Sequence, residues 1–243
     1  MQAQEPVSIH LSEKNGLPDK EFYNIIEDNN GFIWLCADKG LYRYDGKVYK
    51  KYVHALQRGL SVFGVQQDPL NRIWCNNISG QFFYLKNDKL ALFIDLKKQL
   101  RGELADFVVN DTYLWVFARS NIYRVNLKTK AIKSSLKSEG YLGIPFSYNN
   151  SIYYQSKDSI SSITSGNTTK NLLATHLPNR TKNNITIAQG KSKIFNIGTD
   201  LFLMQNRAQF NSFFKIENAK KSLISVNGFE AVKTATIHTV FKT

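Results

Sequence analysis

Residues 22–44 read FYNIIEDNNGFIWLCADKGLYRY, and residues 62–84 read VFGVQQDPLNRIWCNNISGQFFY. The second stretch aligns with the first at an offset of 40 residues (22 to 62). The aligned identities are Asp28 with Asp68, Ile33 with Ile73, Trp34 with Trp74, Gly40 with Gly80 and Tyr44 with Tyr84. Self-similarity at a fixed period near 40 residues is typical of repeat proteins, in which each unit is one supersecondary structure.

Each unit alternates short runs of aromatic and branched residues with turn residues. In the first unit, strands are predicted over 23–27, 32–37, 41–44 and 48–52. The turns between them are rich in Asp, Asn and Gly, which suit tight hairpins because these residues tolerate positive φ. Four short strands joined by three tight turns form an antiparallel meander. Repeated along the chain, this meander predicts an all-β fold, a β-propeller of four-stranded antiparallel blades.

The repeat can be followed through most of the chain, although it becomes weaker. Trp115 follows Trp74 by 41 residues. Strands near 152–154, 159–163, 185–188, 194–197 and 201–204 continue the pattern, with a turn at 190–192 before the run 194–197. One propeller domain is predicted over 1–243, with blade units near 16–58, 59–100, 101–143, 144–183 and 184–226. Residues 6–11 are predicted to close the last blade, and residues 234–243 to begin a further one. At about 40 residues per blade the chain provides roughly six blades' worth of sequence.

The charge of the chain is unevenly distributed. The net charge is +13, and residues 91–243 hold 21 Lys/Arg and 9 Asp/Glu, whereas residues 1–90 hold 11 and 10. A basic half is compatible with an anionic partner. The lysines are scattered, however, as in Lys128, Lys130, Lys133 and Lys137, whereas nucleic-acid binders concentrate their charge on one face. The favoured interpretation is a solubility charge, and no nucleic-acid partner is expected.

The sequence contains no pattern that specifies catalysis or metal binding, and no catalytic, cofactor or metal residue is assigned. The four histidines, His10, His54, His176 and His238, have no metal-ligand spacing. The segment Gly190–Ser192 ends like a phosphate-binding loop but lacks the earlier glycine, because Ile185 occupies that position. Two cysteines, Cys36 and Cys75, give no zinc motif, and strand alternation predicts thiols pointing to opposite sides without a disulfide.

The recurring residues are interpreted as structural. Asp28 and Asp68 occupy equivalent turns, where an aspartate caps a hairpin. The tryptophans at 34, 74 and 115 share one blade position, which favours packing between blades over sugar stacking. Arg43 and Arg124 share a slot in the third strand, where both a ligand cleft and a salt bridge between blades remain open.

One family resembles the first unit closely. The segment Gly16–Asp28, with Gly31–Trp34 and Gly40–Gly46, is similar to the two-component regulator propeller repeat. The second unit resembles it well and the others in part. The family usually has Gly-Thr two and three residues after the tryptophan, where this chain has Cys36–Ala37, Asn76–Asn77 and Phe117–Ala118.

The resemblance implies a periplasmic propeller, typically of seven blades, followed in the full-length protein by a small β-sandwich, a membrane helix and a cytoplasmic kinase. The chain is then expected to be a fragment of such a ring. Its expected role is the extracytoplasmic sensor domain of a membrane-bound histidine kinase, without enzymatic activity of its own. The expected ligand is an oligosaccharide or another small molecule, at residues that the sequence does not identify. The full-length protein is expected to be a homodimer that meets the membrane only through segments after residue 243.

Two alternatives remain. A propeller scaffold would bind proteins through its faces. A streptogramin-lyase-like enzyme would need a histidine with an acidic partner and a metal at the ring centre, and the isolated histidines argue against it.

Overall fold

A computed structural model shows the all-β fold that the sequence predicts, with five four-stranded antiparallel sheets as the blades of a β-propeller. The structure describes residues 12–119, 121–137, 145–148, 151–155, 159–163, 169–174, 192–197, 200–207, 210–217 and 220–224. Helix is confined within these ranges to a 3-10 turn over Glu13–Asn15 and one short α-helix, α1, over Lys97–Leu100.

In every sheet the strands pair in chain order, each with the next. Sheet 1 comprises β1 (Phe22–Glu27), β2 (Ile33–Ala37), β3 (Gly40–Tyr44) and β4 (Tyr49–Tyr52). Sheet 2 comprises β5 (Gly64–Gln67), β6 (Ile73–Asn76), β7 (Gln81–Lys86) and β8 (Lys89–Asp95). Sheet 3 comprises β9 (Asp106–Val109), β10 (Tyr113–Phe117), β11 (Asn121–Asn126) and β12 (Ile132–Lys137). Sheet 4 comprises β13 (Phe146–Tyr148), β14 (Ser151–Gln155), β15 (Ser159–Ile163) and β16 (Thr169–Ala174). Sheet 5 comprises β17 (Ser192–Ile197), β18 (Asp200–Arg207), β19 (Phe210–Glu217) and β20 (Lys220–Ile224).

The chain divides into two compact units, Met1–Leu104 and Ala105–Thr243. The first unit holds sheets 1 and 2, and β5 contacts both β1 and β2. The second unit holds sheets 3 to 5, in which β9 contacts β13 and β14 contacts β17.

The core of the first unit is a layer of apolar side chains that sheets 1 and 2 bury between them. Trp34 is 2% exposed within this layer. The other buried members are Cys36, Leu41, Tyr52, Val62, Val65, Ile73, Cys75, Phe83 and Leu90. The prediction that this tryptophan packs between blades is therefore confirmed.

The second unit repeats the arrangement with sheets 3 and 4. Trp115 is also 2% exposed and packs in one cluster with residues of β14 and β15. The other buried members of the cluster are Val108, Phe117, Ile122, Ile152, Tyr154 and Ile163. Removing such side chains from water is the dominant favourable contribution to folding.

The two cysteines are free, as predicted, but their placement differs from the expectation of separated thiols. Cys36 and Cys75 lie in the same buried cluster. Cys36 is on the same face of its strand as Trp34, whereas Cys75 is on the opposite face from Trp74. The facing sides of two neighbouring sheets form one layer. Thiols that point to opposite faces of their own sheets therefore meet in the layer between the two blades.

Sheet 5 differs from the pattern read in the sequence. The run Ile194–Ile197, which we predicted to follow an earlier strand and the turn at 190–192, belongs to the first strand of this sheet. The remaining two positions are taken by β19 and β20, in a segment whose sequence is too degenerate to give a register. Residues 6–11, 185–188 and 234–243 lie outside the described residues.

Candidate functional site

The recurring aspartate of the first two sheets joins the first turn to the tryptophan. Asp28 Oδ1 accepts hydrogen bonds from the backbone N–H of Asn30 (2.9 Å) and Phe32 (3.0 Å), while Oδ2 accepts from Trp34 Nε1 at 2.7 Å. Asp28 is 7% exposed. A buried carboxylate with both oxygens bonded stabilises the turn and fixes the indole ring.

Sheet 2 repeats this arrangement, which we call the Asp–Trp clasp. Asp68 accepts from the N–H of Leu70 and Arg72 and from Trp74 Nε1 at 2.8 Å. It also accepts from Arg72 Nε at 2.6 Å. The prediction that these aspartates cap turns is confirmed, and the bond to the indole extends it.

Sheet 3 keeps the turn cap but lacks the bond to the indole. Asn110 Oδ1 accepts from the N–H of Thr112 and Tyr113, yet the buried Trp115 Nε1 has no hydrogen-bond partner among the described residues. Asn110 precedes Trp115 by five residues, whereas Asp28 precedes Trp34 by six. The third turn is therefore one residue shorter.

The two equivalent arginines pack against aromatic rings of their own sheets. Arg43 lies opposite Trp34 in the strand register, with its guanidinium carbon 4.6 Å from the Phe32 ring centroid. It also forms an ion pair with Asp88 of sheet 2 at 3.6 Å. Arg124 is 9% exposed, and its guanidinium carbon lies 4.5 Å from the ring centroid of Tyr113. For Arg43 the structure shows the salt bridge between blades that the sequence left open.

An exposed tyrosine, a partly buried phenylalanine and two carboxylates meet where the first strands of sheets 1 and 2 begin. Tyr23 at the start of β1 stacks on Phe63, which directly precedes β5, with ring centroids 4.4 Å apart and an interplanar angle of 24°. Tyr23 is 41% exposed. The cluster is completed by Glu21, Asp38 and Ser61, and we call these five residues the Tyr23–Phe63 cluster.

Hydrogen bonds orient the polar groups of the Tyr23–Phe63 cluster. Tyr23 Oη donates to Glu21 Oε2 (3.3 Å) and Asp38 Oδ1 (3.4 Å), and Ser61 Oγ donates to Asp38 Oδ1 at 2.6 Å. Partial burial, together with the charges of Asp38 and Glu21, raises the pKa of Tyr23. The phenol therefore stays protonated and remains a donor at neutral pH.

Part of the acceptor capacity of this cluster stays open. Within the described ranges, no hydrogen bond reaches Asp38 Oδ2 or Glu21 Oε1, and neither carboxylate is in an ion pair. A stacked aromatic pair offers an apolar platform, while ionised carboxylates accept hydrogen bonds from hydroxyl or amino groups. The arrangement suits a flat or ring-shaped ligand that carries several hydrogen-bond donors.

The other chemically interesting groups are engaged in packing. His54 Nδ1 accepts from the Leu56 N–H at 3.1 Å, and its ring lies 5.7 Å from that of Phe83. Burial raises the pKa of Cys36 well above its usual value, and that of Cys75 to about 12. No group of three or more metal-ligating side chains occurs in the part of the chain that the structure describes. His10, His176 and His238 lie outside that part.

The Tyr23–Phe63 cluster was missed in the sequence, although the repeat contained its signal. Tyr23 and Phe63 occupy the same position of the first and second units, 11 residues before Trp34 and Trp74. An aromatic residue repeated at an edge-strand position is ambiguous, because only the packing shows whether its ring is buried or exposed.

Comparison with known proteins supports the propeller fold. Residues 16–39 match the two component regulator propeller family. The match covers the segment that leads into sheet 1, the strands β1 and β2, and Glu21, Tyr23 and Asp38. No curated protein matches the chain.

Solved structures share the fold at low sequence identity. Virginiamycin B lyase from Staphylococcus aureus is 15% identical with a TM-score of 0.62, over 86% of this chain and 71% of the lyase. The extracellular domain of a hybrid two component system from B. thetaiotaomicron is 14% identical with a TM-score of 0.61, over 88% of this chain. A second such domain from the same organism is 11% identical with a TM-score of 0.57.

The chain corresponds to 31% and 28% of the lengths of these two extracellular domains. Of the described helices, none has the length and apolar character needed to cross a bilayer.

Proposed function

We propose that the chain is the extracytoplasmic, periplasmic signal-input domain of a membrane-bound two-component histidine kinase. The observation that carries this proposal is the match of residues 16–39 to the two component regulator propeller family. The fold shared with extracellular domains of hybrid two component systems supports it. In this role the propeller does no chemistry and reports ligand occupancy to a kinase elsewhere in the full-length protein.

We further propose that the ligand binds at the Tyr23–Phe63 cluster, with an oligosaccharide as the first candidate. The apolar face of a sugar ring can stack on the exposed ring of Tyr23, while its hydroxyl groups donate to Asp38 and Glu21. Ligand binding would shift the full-length homodimer between two arrangements by as much as the ligand's affinity differs between them.

The test is a thermal-shift screen of the chain against oligosaccharides, followed by calorimetry of any hit. We expect Tyr23→Ala to weaken binding at least about fivefold, because aromatic stacking contributes about 1 kcal/mol beyond the buried area. Tyr44→Ala is the matched control, since Tyr44 stacks on Tyr49 at the same centroid distance of 4.4 Å away from the cluster. Equal loss in both variants would contradict a site at the Tyr23–Phe63 cluster.

The signalling role is tested separately in the full-length protein. Kinase activity should depend on the ligand, and this dependence should fall in the Tyr23→Ala variant. A full-length gene without a membrane segment or kinase would contradict the sensor role. Recovery of a stable soluble protein partner from such a gene product would favour the scaffold alternative.

The lyase alternative has the fold likeness to virginiamycin B lyase in its favour. It requires a histidine with an acidic partner and a metal, and His54 instead accepts a backbone hydrogen bond. We therefore rank the enzyme below the sensor. Cleavage of quinupristin by the purified chain supplied with a divalent metal ion would reverse that order.

A further inference from the structure

The two carboxylates of the Tyr23–Phe63 cluster lie beside each other, just before β1 and just after β2. The Asp38 N–H donates to Glu21 O at 3.2 Å, and both side chains are exposed. Tyr23 Oη lies 3.3 Å from Glu21 Oε2 and 3.4 Å from Asp38 Oδ1. Because a phenol has one proton, it can donate to only one of these two acceptors at a time. The cluster therefore holds more acceptor oxygens than donors.

The basic side chains that neighbour the cluster in the sequence are bound to other carboxylates. Their N–O distances are 4.0 Å or less, and the pairs are Lys20 with Glu13, Lys39 with Asp19, and Arg58 with Asp95. Among the described residues, neither carboxylate of the cluster takes part in an ion pair. Desolvation raises the pKa of Tyr23, and the charges of Asp38 and Glu21 raise it further. The phenol therefore lies in the field of two carboxylates that no cation of the described part of the chain neutralises.

An aromatic ring is accessible beside these carboxylates. Tyr23 is 41% exposed, and Phe63 stacks against it with ring centroids 4.4 Å apart. Both carboxylates lie at the hydroxyl end of the Tyr23 ring. A ring-shaped ligand that packs on this tyrosine can therefore place a substituent of its rim against the carboxylates. A cationic substituent suits that position, because aromatic faces and carboxylates both attract cations.

We propose that the Tyr23–Phe63 cluster selects a ligand that carries a protonated amine on a sugar ring, and so prefers an amino-sugar oligomer to a neutral or acidic oligosaccharide. This inference rests on the ligand site proposed above and names the class of its ligand. An ammonium group offers three donors, and its hydrogen bonds to carboxylates are stronger than those of a neutral hydroxyl. An acidic sugar would instead bring like charges together, which disfavours binding.

The test is titration calorimetry of the whole chain with tetramers of glucosamine, glucose and N-acetylglucosamine that share one linkage. These probes differ in a single ring substituent, which is an ammonium, a hydroxyl or an acetamide group. At about pH 6, carboxyl groups are ionised and the amine is protonated. We expect the glucosamine tetramer to bind roughly tenfold more tightly than the glucose tetramer, because a charge-assisted hydrogen bond is about twice as strong as a neutral one. Added salt should reduce this preference.

Two double variants separate the cluster from the charge of the whole chain. Glu21→Gln/Asp38→Asn should remove most of the preference for the amine, since an amide cannot form an ion pair. The matched control is Glu27→Gln/Asp45→Asn, which changes the far end of β1 and the turn after β3. Both double variants raise the net charge from +13 to +15 (13 + 2). The control should therefore keep the preference unless it reflects the overall charge.

The outcomes distinguish this inference from the site on which it rests. Equal affinity for the glucosamine and glucose tetramers, with both weakened by Tyr23→Ala, would overturn the preference for an amine and leave the site in place. Sugar binding that Tyr23→Ala does not weaken would contradict the site itself. Equal loss of the preference in the two double variants, or no binding of the glucosamine tetramer, would also overturn the inference. Spermidine binding as tightly as the glucosamine tetramer would show that a linear amine suffices and would overturn the requirement for a sugar ring.

Discussion

At the scale of the residue, the Asp–Trp clasp explains why an aspartate and a tryptophan recur six positions apart. Asp28 satisfies two backbone donors of a turn and the buried indole of Trp34. A buried polar group without a partner costs about 1–3 kcal/mol, so the two residues depend on each other. Asn110 keeps the turn bonds without reaching Trp115, which shows that the two tasks of the carboxylate are separable.

Asp28→Asn is expected to lower the free energy of unfolding of the first unit by about 2 kcal/mol, because the new amide turns a donor toward the Trp34 N–H. In a Trp34→Phe background the same change should have a smaller effect, since no indole donor remains. Urea denaturation of the four proteins in this double-mutant cycle gives the coupling. The control is Asp45→Asn. Asp45 lies in an exposed turn, and an asparagine there keeps the side-chain oxygen that accepts the turn's hydrogen bonds. Additive effects within the cycle would contradict the clasp.

Trp34→Phe is expected to destabilise its unit by about 1–2 kcal/mol more than Trp115→Phe destabilises the other. Both tryptophans are 2% exposed, so the loss of buried area is alike. Trp34 donates a hydrogen bond from its indole, whereas the Trp115 indole finds no acceptor within the described part of the chain. Native-state hydrogen exchange reports the opening free energy of each unit separately. An equal or larger effect at Trp115 would show that the indole bond contributes nothing.

At the scale of the element, turns of one sheet reach the neighbouring sheet and connect the blades. Asp88, in the turn between β7 and β8, accepts from Lys50 Nζ and from Tyr52 Oη, the latter at 2.6 Å. It also pairs with Arg43. The hydrogen bonds from Lys50 and Tyr52 lower the pKa of Asp88, although it remains half exposed.

Asp88→Asn is expected to reduce stability at neutral pH by less than about 1 kcal/mol, since exposed ion pairs are screened by solvent. The pKa of Asp88 is lowered from its usual value of 3.8, so the stabilisation is present above that value and is lost as the pH falls through the folded-state pKa. The difference between the two proteins in urea denaturation should vanish at acid pH. The control is Glu27→Gln, because Glu27 is exposed and forms no ion pair among the described residues. The stability difference between this variant and the unmodified protein should not show the same pH dependence.

Gly80 shows why a turn glycine recurs in the repeat. Its φ is +80°, and a Cβ there would lie 3.1 Å from Lys97 N and 3.2 Å from Leu96 C. Gly80→Ala should destabilise the first unit through both the positive φ and the backbone contact. Gly102 has a similar φ of +88° but open space around the Cβ. Gly102→Ala should therefore be destabilised only by the positive φ, by about 1 kcal/mol. Thermal melting compares the two, and equal shifts would mean that the α1 backbone moves aside.

At the scale of the whole molecule, the fold buries both cysteine thiols in the layer between two blades. Cys36 and Cys75 are fully buried, and burial raises both thiol pKa values. We expect the native chain to resist a maleimide reagent at neutral pH, with labelling that follows unfolding. Lys86→Cys, at an exposed position, should label at once. Rapid labelling of the native cysteines, measured by mass spectrometry, would contradict the buried cluster.

The sequence by itself determined the type of repeat, the strands of its first unit and the structural role of the aspartates and tryptophans. These features depend on local turn chemistry and on strand alternation, which are visible within about 40 residues. The Tyr23–Phe63 cluster, the shared layer of the two cysteines and the salt bridge from Arg43 to Asp88 were decided only by the tertiary structure. Each joins residues from neighbouring blades, and periodicity gives the face of a strand but not the side chains that the next sheet places against it.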